Sequence, residues 1–429
     1  MTHHGGFNKY EPVNQALQQL LSAYQKHSCF HPQTEAVNLL DAPNRVLSED
    51  FIVPIDIPPF TRSAMDGYAV IASDTKGASN KHHITLEVVG KTFAGDTNTL
   101  KVSPGKAVAV ATGGRIPQGA DAVVMVEYTA LDGGKVKVFK EIELGKNVAL
   151  KGEDLQKGAI ILKKGTWLRP QDVGLIASVG IPTVKVICKP KVAVFSTGSE
   201  LVEPGSKLNT DAVLYDSNRY MLSAMINEAG GEAVNLGICK DDENTIMATL
   251  KKALQYDLVV MSGGSSVGEK DYVPAVINRA GKPGVLVHGV AMRPGSPTAL
   301  SIVEGKPVIS TPGYPVACYF AFYTFGKPLL LRMLGTTGLP EGKVTAKMAS
   351  GIKLHEEMQT FLRVKLKTTK DRKGELYYLA EPVSAAAASI QRTLTGSDGV
   401  VMVNKSRLVK GQKVEVHLLR AQANNENSL

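Results

Sequence analysis

The chain has 429 residues, 43% of them hydrophobic and 21% charged; this length excludes a single hydrophobic core, and the composition excludes a disordered or fibrous chain. Its net charge is +9, but the lysines are scattered and do not alternate with aromatics, so the charge points to an anionic small ligand or partner rather than nucleic acid. The cysteines Cys29, Cys188, Cys239 and Cys318 show no CxxC or CxxH spacing, which argues against a zinc site and a disulfide framework and suits a reducing cytoplasm.

The first residues lack the basic and apolar regions of an export signal. Residues 11–27 set Val13, Ala16, Leu17, Leu20, Leu21 and Tyr24 on one face behind Pro12, predicting an amphipathic helix that packs on a larger body. Residues 35–57, broken by Pro43 and Pro54, read as extended linking segments. The polar run Thr61-Arg62-Ser63-Ala64-Met65-Asp66-Gly67 precedes a strand, and Ser63 and Asp66 are candidates to hydrogen-bond a ligand. The plain alternative is an Asp-Gly turn entering a sheet. Short β-runs at 86–89, 107–111, 122–126 and 136–139 predict a small β-rich unit, in which Thr112-Gly113-Gly114-Arg115 forms a strand-ending polar loop. A β-like piece at 159–162 and a helix from Pro170 to Gly180 follow.

From Lys191 strands and helices alternate: strands at 192–195, 233–238, 258–261 and 308–310, helices at 217–229, 243–255, 271–280 and 315–334. The last helix contains Gly326-Lys327-Pro328, which fits a buried helix rather than a membrane span. The alternation predicts a doubly wound α/β unit with a parallel sheet, whose ligands sit beyond the carboxyl ends of the strands. The loops leaving those ends are small, polar or acidic: Ser196-Thr197-Gly198-Ser199-Glu200, Lys240-Asp241-Asp242, Ser262-Gly263-Gly264-Ser265-Ser266 and Thr311-Pro312-Gly313-Tyr314-Pro315. The third runs strand, glycine-rich turn, helix, and offers backbone N–H groups beside a helix N-terminus as an oxyanion seat; a tight packing turn is the alternative. Glu269 and Asp271 stand at its mouth, where they would repel phosphate unless Mg2+ lay between. Arg293, followed by Pro294-Gly295-Ser296, supplies a guanidinium able to grip an oxyanion bidentately, or is a solvated turn residue. Beyond Gly335, strands at 343–348, 361–366, 376–379, 400–403 and 413–418 predict a C-terminal β-unit, followed by a polar tail at 421–429.

These loops carry a resemblance. Ser63-Ala64-Met65-Asp66-Gly67-Tyr68, Ser196-Thr197-Gly198-Ser199-Glu200, Ser262-Gly263-Gly264 with Gly268-Glu269 and Asp271-Tyr272, and Pro312-Gly313 with Pro315 resemble the molybdopterin molybdenumtransferases, the MoeA-like family that includes the E domain of gephyrin. The likeness spans residues 12–416 and implies a homodimer of multidomain α/β plus β subunits. Its expected parts are a discontinuous linker domain (1–58 and 146–186), a β-rich insertion (59–145), a molybdopterin-binding doubly wound α/β domain (187–335) and a C-terminal β-domain (336–420).

The activity implied is Mg2+-dependent insertion of molybdate or tungstate into adenylylated molybdopterin with release of AMP, in the cytoplasm and with no membrane attachment. The adenylyltransferase that makes the substrate and molybdoenzyme apoproteins are further expected partners. Carried over, catalytic roles fall on Asp66, Glu200, Asp241 and Asp271, with Mg2+ held by Asp241 and Asp271. Substrate contacts fall on Ser63, Thr112, Thr197, Gly198, Ser262, Gly263, Gly264, Ser265, Gly268, Arg293, Ser296, Pro312, Gly313 and Arg363. Relatives often carry three lysines where this chain has Gly289, Arg293 and Ser296, and Tyr314 replaces the usual asparagine of Pro-Gly-Asn-Pro. Two other readings stay open, a molybdopterin adenylyltransferase and a non-catalytic gephyrin-like scaffold. The first has no need of the insertion and the C-terminal domain, and the second has no use for acidic groups around an anion seat.

Overall fold

The computed structural model describes residues 10–97, 100–207, 210–263, 272–338, 342–371, 373–384 and 388–419. The helices that matter below are α1 (Val13–His27), α2 (Pro170–Ser178), α3 (Asn218–Glu228), α4 (Glu243–Ala253), α5 (Val273–Ala280), α6 (Pro315–Ala321) and α7 (Lys327–Met333). The central sheet is built from β1 (Lys191–Thr197), β2 (Glu232–Cys239), β3 (Leu258–Ser262), β4 (Pro283–His288), β5 (Ala299–Val303) and β6 (Lys306–Thr311).

The strands stand in the order β2-β1-β3-β6-β5-β4. β2, β1, β3 and β6 are parallel, as the alternation predicts. β5 runs antiparallel to both β6 and β4, so the sheet is mixed rather than parallel. The sequence reading passed over β4 and β5 because their turn is disguised. Val303 pairs with Lys306 across Glu304 and Gly305, which both have positive φ (46° and 78°). That is a two-residue hairpin with glutamate where asparagine or aspartate usually signals one.

Successive residues of β1 face opposite layers, as the pleat requires. Val192 and Val194 join Leu222 and Ile226 of α3, Phe320 of α6, Leu329 of α7 and Leu20 of α1 in one core. Ala193 and Phe195 join Ile246 and Leu250 of α4 with Val276 and Ile277 of α5 in the other. The amphipathic α1, grouped by sequence with the linker segments, packs its buried face (Val13, Ala16, Leu20, Tyr24) against β4, β5 and β6. The apolar segment after Pro315 is helical but not uniform: a π-helical turn at Phe322–Gly326 separates α6 from α7. The wider turn accommodates Pro328, which lacks a backbone donor.

Residues 35–57 are not bare linking segments. Thr34–Asn38 pairs with Thr183–Ile187 and Phe51–Ile52 with Ile160–Leu162, and with α2 they enclose a core of Ala42, Leu47, Leu168, Ile176 and Val186. The β-rich unit is a six-stranded sheet that includes Gly67–Val70, Lys106–Val110 and Ala122–Met125. Gly67 is obligatory there, because a Cβ would lie 1.9 Å from the carbonyl oxygen of Val124. The C-terminal strands Lys343–Met348, Gln359–Lys370, Leu376–Ser384, Gly399–Val403 and Lys413–Leu418 close into a barrel, since Gln359–Lys370 pairs with both Leu376–Ser384 and Gly399–Val403. Among the described residues no helix is long and apolar enough to cross a membrane.

Candidate active-site cleft

β1 leads through α3 to β2 on one side, and β2 leads through α4 to β3 on the other side of β1. Because α3 and α4 lie on opposite faces, the chain parts between β1 and β3 and leaves a crevice at their carboxyl ends, where ligands bind in open α/β sheets. A cleft of about 610 Å³ lies there. Its wall includes Thr197, Gly198 and Glu200 after β1, Asp241 after β2, Ser262 and Gly263 ending β3, and Pro312, Gly313 and Tyr314 after β6. The structure therefore brings together residues from all four loops that sequence places at strand ends.

The floor is built by close backbone approach. Gly263 has φ +98°, and a Cβ on it would lie 2.3 Å from the carbonyl oxygen of Thr197; its N–H donates to the Thr311 carbonyl at 3.0 Å. A side chain at Gly198 would meet Glu200 Oε1 at 2.8 Å. Asn218, at the start of α3, pins two loops: its Nδ2 donates to Ser262 Oγ at 2.8 Å and to the Gly313 carbonyl at 2.7 Å. Asn218 Oδ1 and Thr197 Oγ1 are buried in the cleft wall with no hydrogen-bond partner among the described residues. Buried polar atoms are normally paired, and these two stand in the cleft wall, where a ligand or water has access to them.

The segment between β1 and α3 folds back on itself as a second wall. Leu201–Val202 pairs in parallel with Leu214–Tyr215, and Leu214 to Asn218 line the cleft. Arg219 fastens this segment. Its Nε donates to Asp216 Oδ2 at 2.8 Å, one terminal nitrogen to Glu203 Oε2 at 2.5 Å and the other to Asn235 Oδ1 on β2. Ser196 Oγ on β1 donates to Asp216 Oδ1 at 3.0 Å, so β1, β2 and α3 share one buried polar network. Burial alone would lower the Arg219 pKa, but the hydrogen bonds to Asp216 and Glu203 outweigh it and hold the guanidinium above its ordinary value.

The adjacent aspartates of the second loop divide their roles. Asp242 caps α4, with Oδ1 accepting from Thr245 N–H at 2.9 Å and Oδ2 from Thr245 Oγ1 at 2.6 Å, bonds that hold its carboxyl below the usual range. Asp241 lines the cleft. Cys239 and Cys318 lie beneath the loops as buried thiols, pushed up by burial to about 11 and about 12, and are unreactive near neutral pH.

Other sequence-nominated residues lie elsewhere in the single chain. Asp66 and Thr112 pair in the β-rich unit: Asp66 Oδ1 accepts from Thr112 N–H at 2.7 Å and Thr112 Oγ1 at 3.1 Å, and both residues are exposed. Ser63 is buried beneath them, its hydroxyl donating to the Met65 carbonyl at 2.5 Å. Arg293 is exposed and Ser296 half-buried, and neither lines the cleft, whereas Pro297 of the same loop does. Arg363 is fully buried in the barrel, where desolvation lowers its pKa to about 10. Gly264, Ser265, Gly268, Glu269 and Asp271 lie outside the described residues.

Sequence reasoning missed Leu214, Tyr215, Asp216 and Asn218 in the cleft wall. The run Asp216-Ser217-Asn218 before an apolar helical pattern was a readable signal, since such residues gather at helix starts. Ser389 of the cleft wall comes from beyond the barrel's Leu376–Ser384 strand, and Val316 N–H donates to the neighbouring Ala388 carbonyl at 3.0 Å.

A doubly wound α/β sheet with a cleft at its switch point that carries acidic side chains is the ligand-binding class of α/β protein. Family comparison narrows the class. Residues 11–180 match the MoeA N-terminal region (domain I and II), 193–332 a probable molybdopterin binding domain, and 345–419 the MoeA C-terminal region (domain IV). A molybdopterin molybdenumtransferase of Haemophilus influenzae is 39% identical over 308 residues, 71% of this chain and 74% of that protein. One from Staphylococcus aureus (strain COL) is 34% identical over 359 residues, 83% and 84% of the two chains. The crystal structure of a molybdopterin biosynthesis MoeA protein from Pyrococcus horikoshii OT3 superimposes with a TM-score of 0.81 at 33% identity, covering 96% of this chain and 100% of that one. The chain belongs to the molybdopterin molybdenumtransferase (MoeA) family, enzymes of molybdenum cofactor biosynthesis.

Proposed function

We propose that this chain inserts molybdate or tungstate into adenylylated molybdopterin with Mg2+ and releases AMP. The observation that carries the reading is the convergence of Glu200, Asp241 and the glycine-lined floor at Gly263 and Gly313 in one cleft at the strand ends. Gly263 and Gly313 let backbone approach a bulky anionic ligand without a Cβ in the way. Thr197 and Asn218 offer the buried polar atoms that orient it. Two carboxylates on one wall suit Mg2+, which takes one or two protein carboxylates and fills its remaining positions with water and ligand phosphate. Asp241 is the ligand we assign on that wall; Asp271, the second ligand expected from the sequence, lies outside the described residues. When bound, the ion neutralises charge on the phosphoanhydride that is cleaved. Incubating the protein with adenylylated molybdopterin, Mg2+ and molybdate should release AMP; no molybdate-dependent release would overturn the reading.

The working form we propose is a homodimer, in which Asp66 and Thr112 of one subunit complete the cleft of the other. Their pairing on an exposed surface of the β-rich unit, away from the cleft of their own chain, supports this. Mixed dimers of Asp66→Ala and Asp241→Ala subunits should then regain activity that neither homodimer has, because one hybrid cleft carries both aspartates. Activity of the mixture no higher than that of the two variants measured separately would exclude the shared site.

A further inference from the structure

We propose that Tyr314 is the platform on which a planar fused-ring heterocycle of the ligand stacks, and that it sets affinity rather than the chemical step. The proposal rests on the reading above, since adenylylated molybdopterin carries two such rings, a pterin and an adenine. Tyr314 lines the cleft with 62% of its surface exposed, an aromatic ring open to a ligand in the cleft. Its backbone is held on both sides: Asn218 Nδ2 grips the preceding Gly313 carbonyl, and the Tyr314 carbonyl accepts the first-turn N–H of Cys318 at 2.9 Å as α6 begins at Pro315. The ring itself makes no hydrogen bond or ring contact with any described residue. An exposed aromatic on a hydrogen-bonded backbone, whose ring has no partner among the described residues, is available to something outside the chain. The same cleft is also lined by Leu214 and Tyr215, which are likewise exposed, and the Tyr215 hydroxyl donates to the Ser206 carbonyl at 2.8 Å. The cleft thus combines exposed apolar side chains (Leu214, Tyr215, Tyr314) with polar ones such as Thr197, Asn218 and Asp241, which suits a flat heterocycle with a charged tail.

Stacking on an aromatic side chain is tolerant of which heterocycle is bound, so two probes separate the sources. Molybdopterin without the nucleotide, and AMP alone, are titrated against wild type, Tyr314→Phe and Tyr314→Asn. Tyr314→Phe should keep wild-type affinity, while Tyr314→Asn should bind one probe roughly 5- to 150-fold more weakly, the span of measured base-stacking contributions. A loss confined to molybdopterin assigns the pterin to Tyr314, and a loss confined to AMP assigns the adenine. At saturating adenylylated molybdopterin, kcat for AMP release should be unchanged in Tyr314→Asn and only KM raised. Unchanged affinity of Tyr314→Asn for both probes, or no binding of either by wild type, overturns the proposal. If wild type binds a probe through Tyr314 yet releases no AMP, the stacking stands and the assigned reaction falls.

Discussion

Arg219→Leu should destabilise the α/β unit by about 3–5 kcal/mol, the cost of removing one member of a buried ion pair and stranding the other. Asp216 is 1% exposed and Arg219 2%, so water cannot replace the lost guanidinium. Glu203 and Asn235 lose their contact as well, though the half-exposed Glu203 can turn to solvent. Calorimetry should show a lowered transition, and hydrogen exchange should rise in the Leu214–Tyr215 strand that lines the cleft. A second substitution tests the cause: Asp216→Asn in the Arg219→Leu background removes the stranded charge and should recover part of the loss. If the double variant is no more stable than Arg219→Leu alone, the pair is not what holds this wall.

The same wall shows where a sequence stops being readable. Alternating apolar runs and helical spacings marked β1, β2, β3 and β6 and their helices, because burial on both faces leaves short unbroken runs such as residues 258–261. From that order alone the polar loops around Thr197, Asp241, Gly263 and Gly313 could be set at one end of the sheet. What periodicity could not show was anything depending on contacts between distant segments. The hairpin of β4 and β5 was hidden by Glu304 in a conformation usually taken by asparagine or glycine. The wall at Leu214 and Tyr215 had no signal in the sequence, since Arg219 reaches partners at Glu203, Asp216 and Asn235 that share no local pattern. α1 displayed a clear apolar stripe, but only the structure shows that the stripe covers β4 to β6. Arg293 drew attention as a cation, yet Pro297 four residues later is what meets the cleft.

Asp241→Asn should reduce AMP release roughly 10²- to 10³-fold, the usual loss when one preorganised electrostatic group is removed from a reacting centre. The substitution keeps size and shape and removes only the charge. Because Asp241 faces the cleft rather than a core, folding stability should stay close to wild type. Its neighbour supplies the control. Asp242 is occupied in capping α4 through Thr245, and its carboxyl is held below the ordinary range by those hydrogen bonds. Asp242→Ala should therefore lower stability while sparing turnover at saturating substrate. The sign of its pH dependence follows from the lowered pKa: the stabilisation from the cap is present above the unfolded-state pKa of an aspartate and fades as pH falls through the folded value. Wild type should lose that increment on acidification and Asp242→Ala should not. Raising Mg2+ should rescue Asp241→Asn only in part, and that variant, unlike Asp242→Ala, should shift the Mg2+ concentration needed for half-maximal AMP release. Equal release by Asp241→Asn and wild type at limiting Mg2+ would remove Asp241 from the metal site and leave Glu200 as the described carboxylate on that wall to carry it.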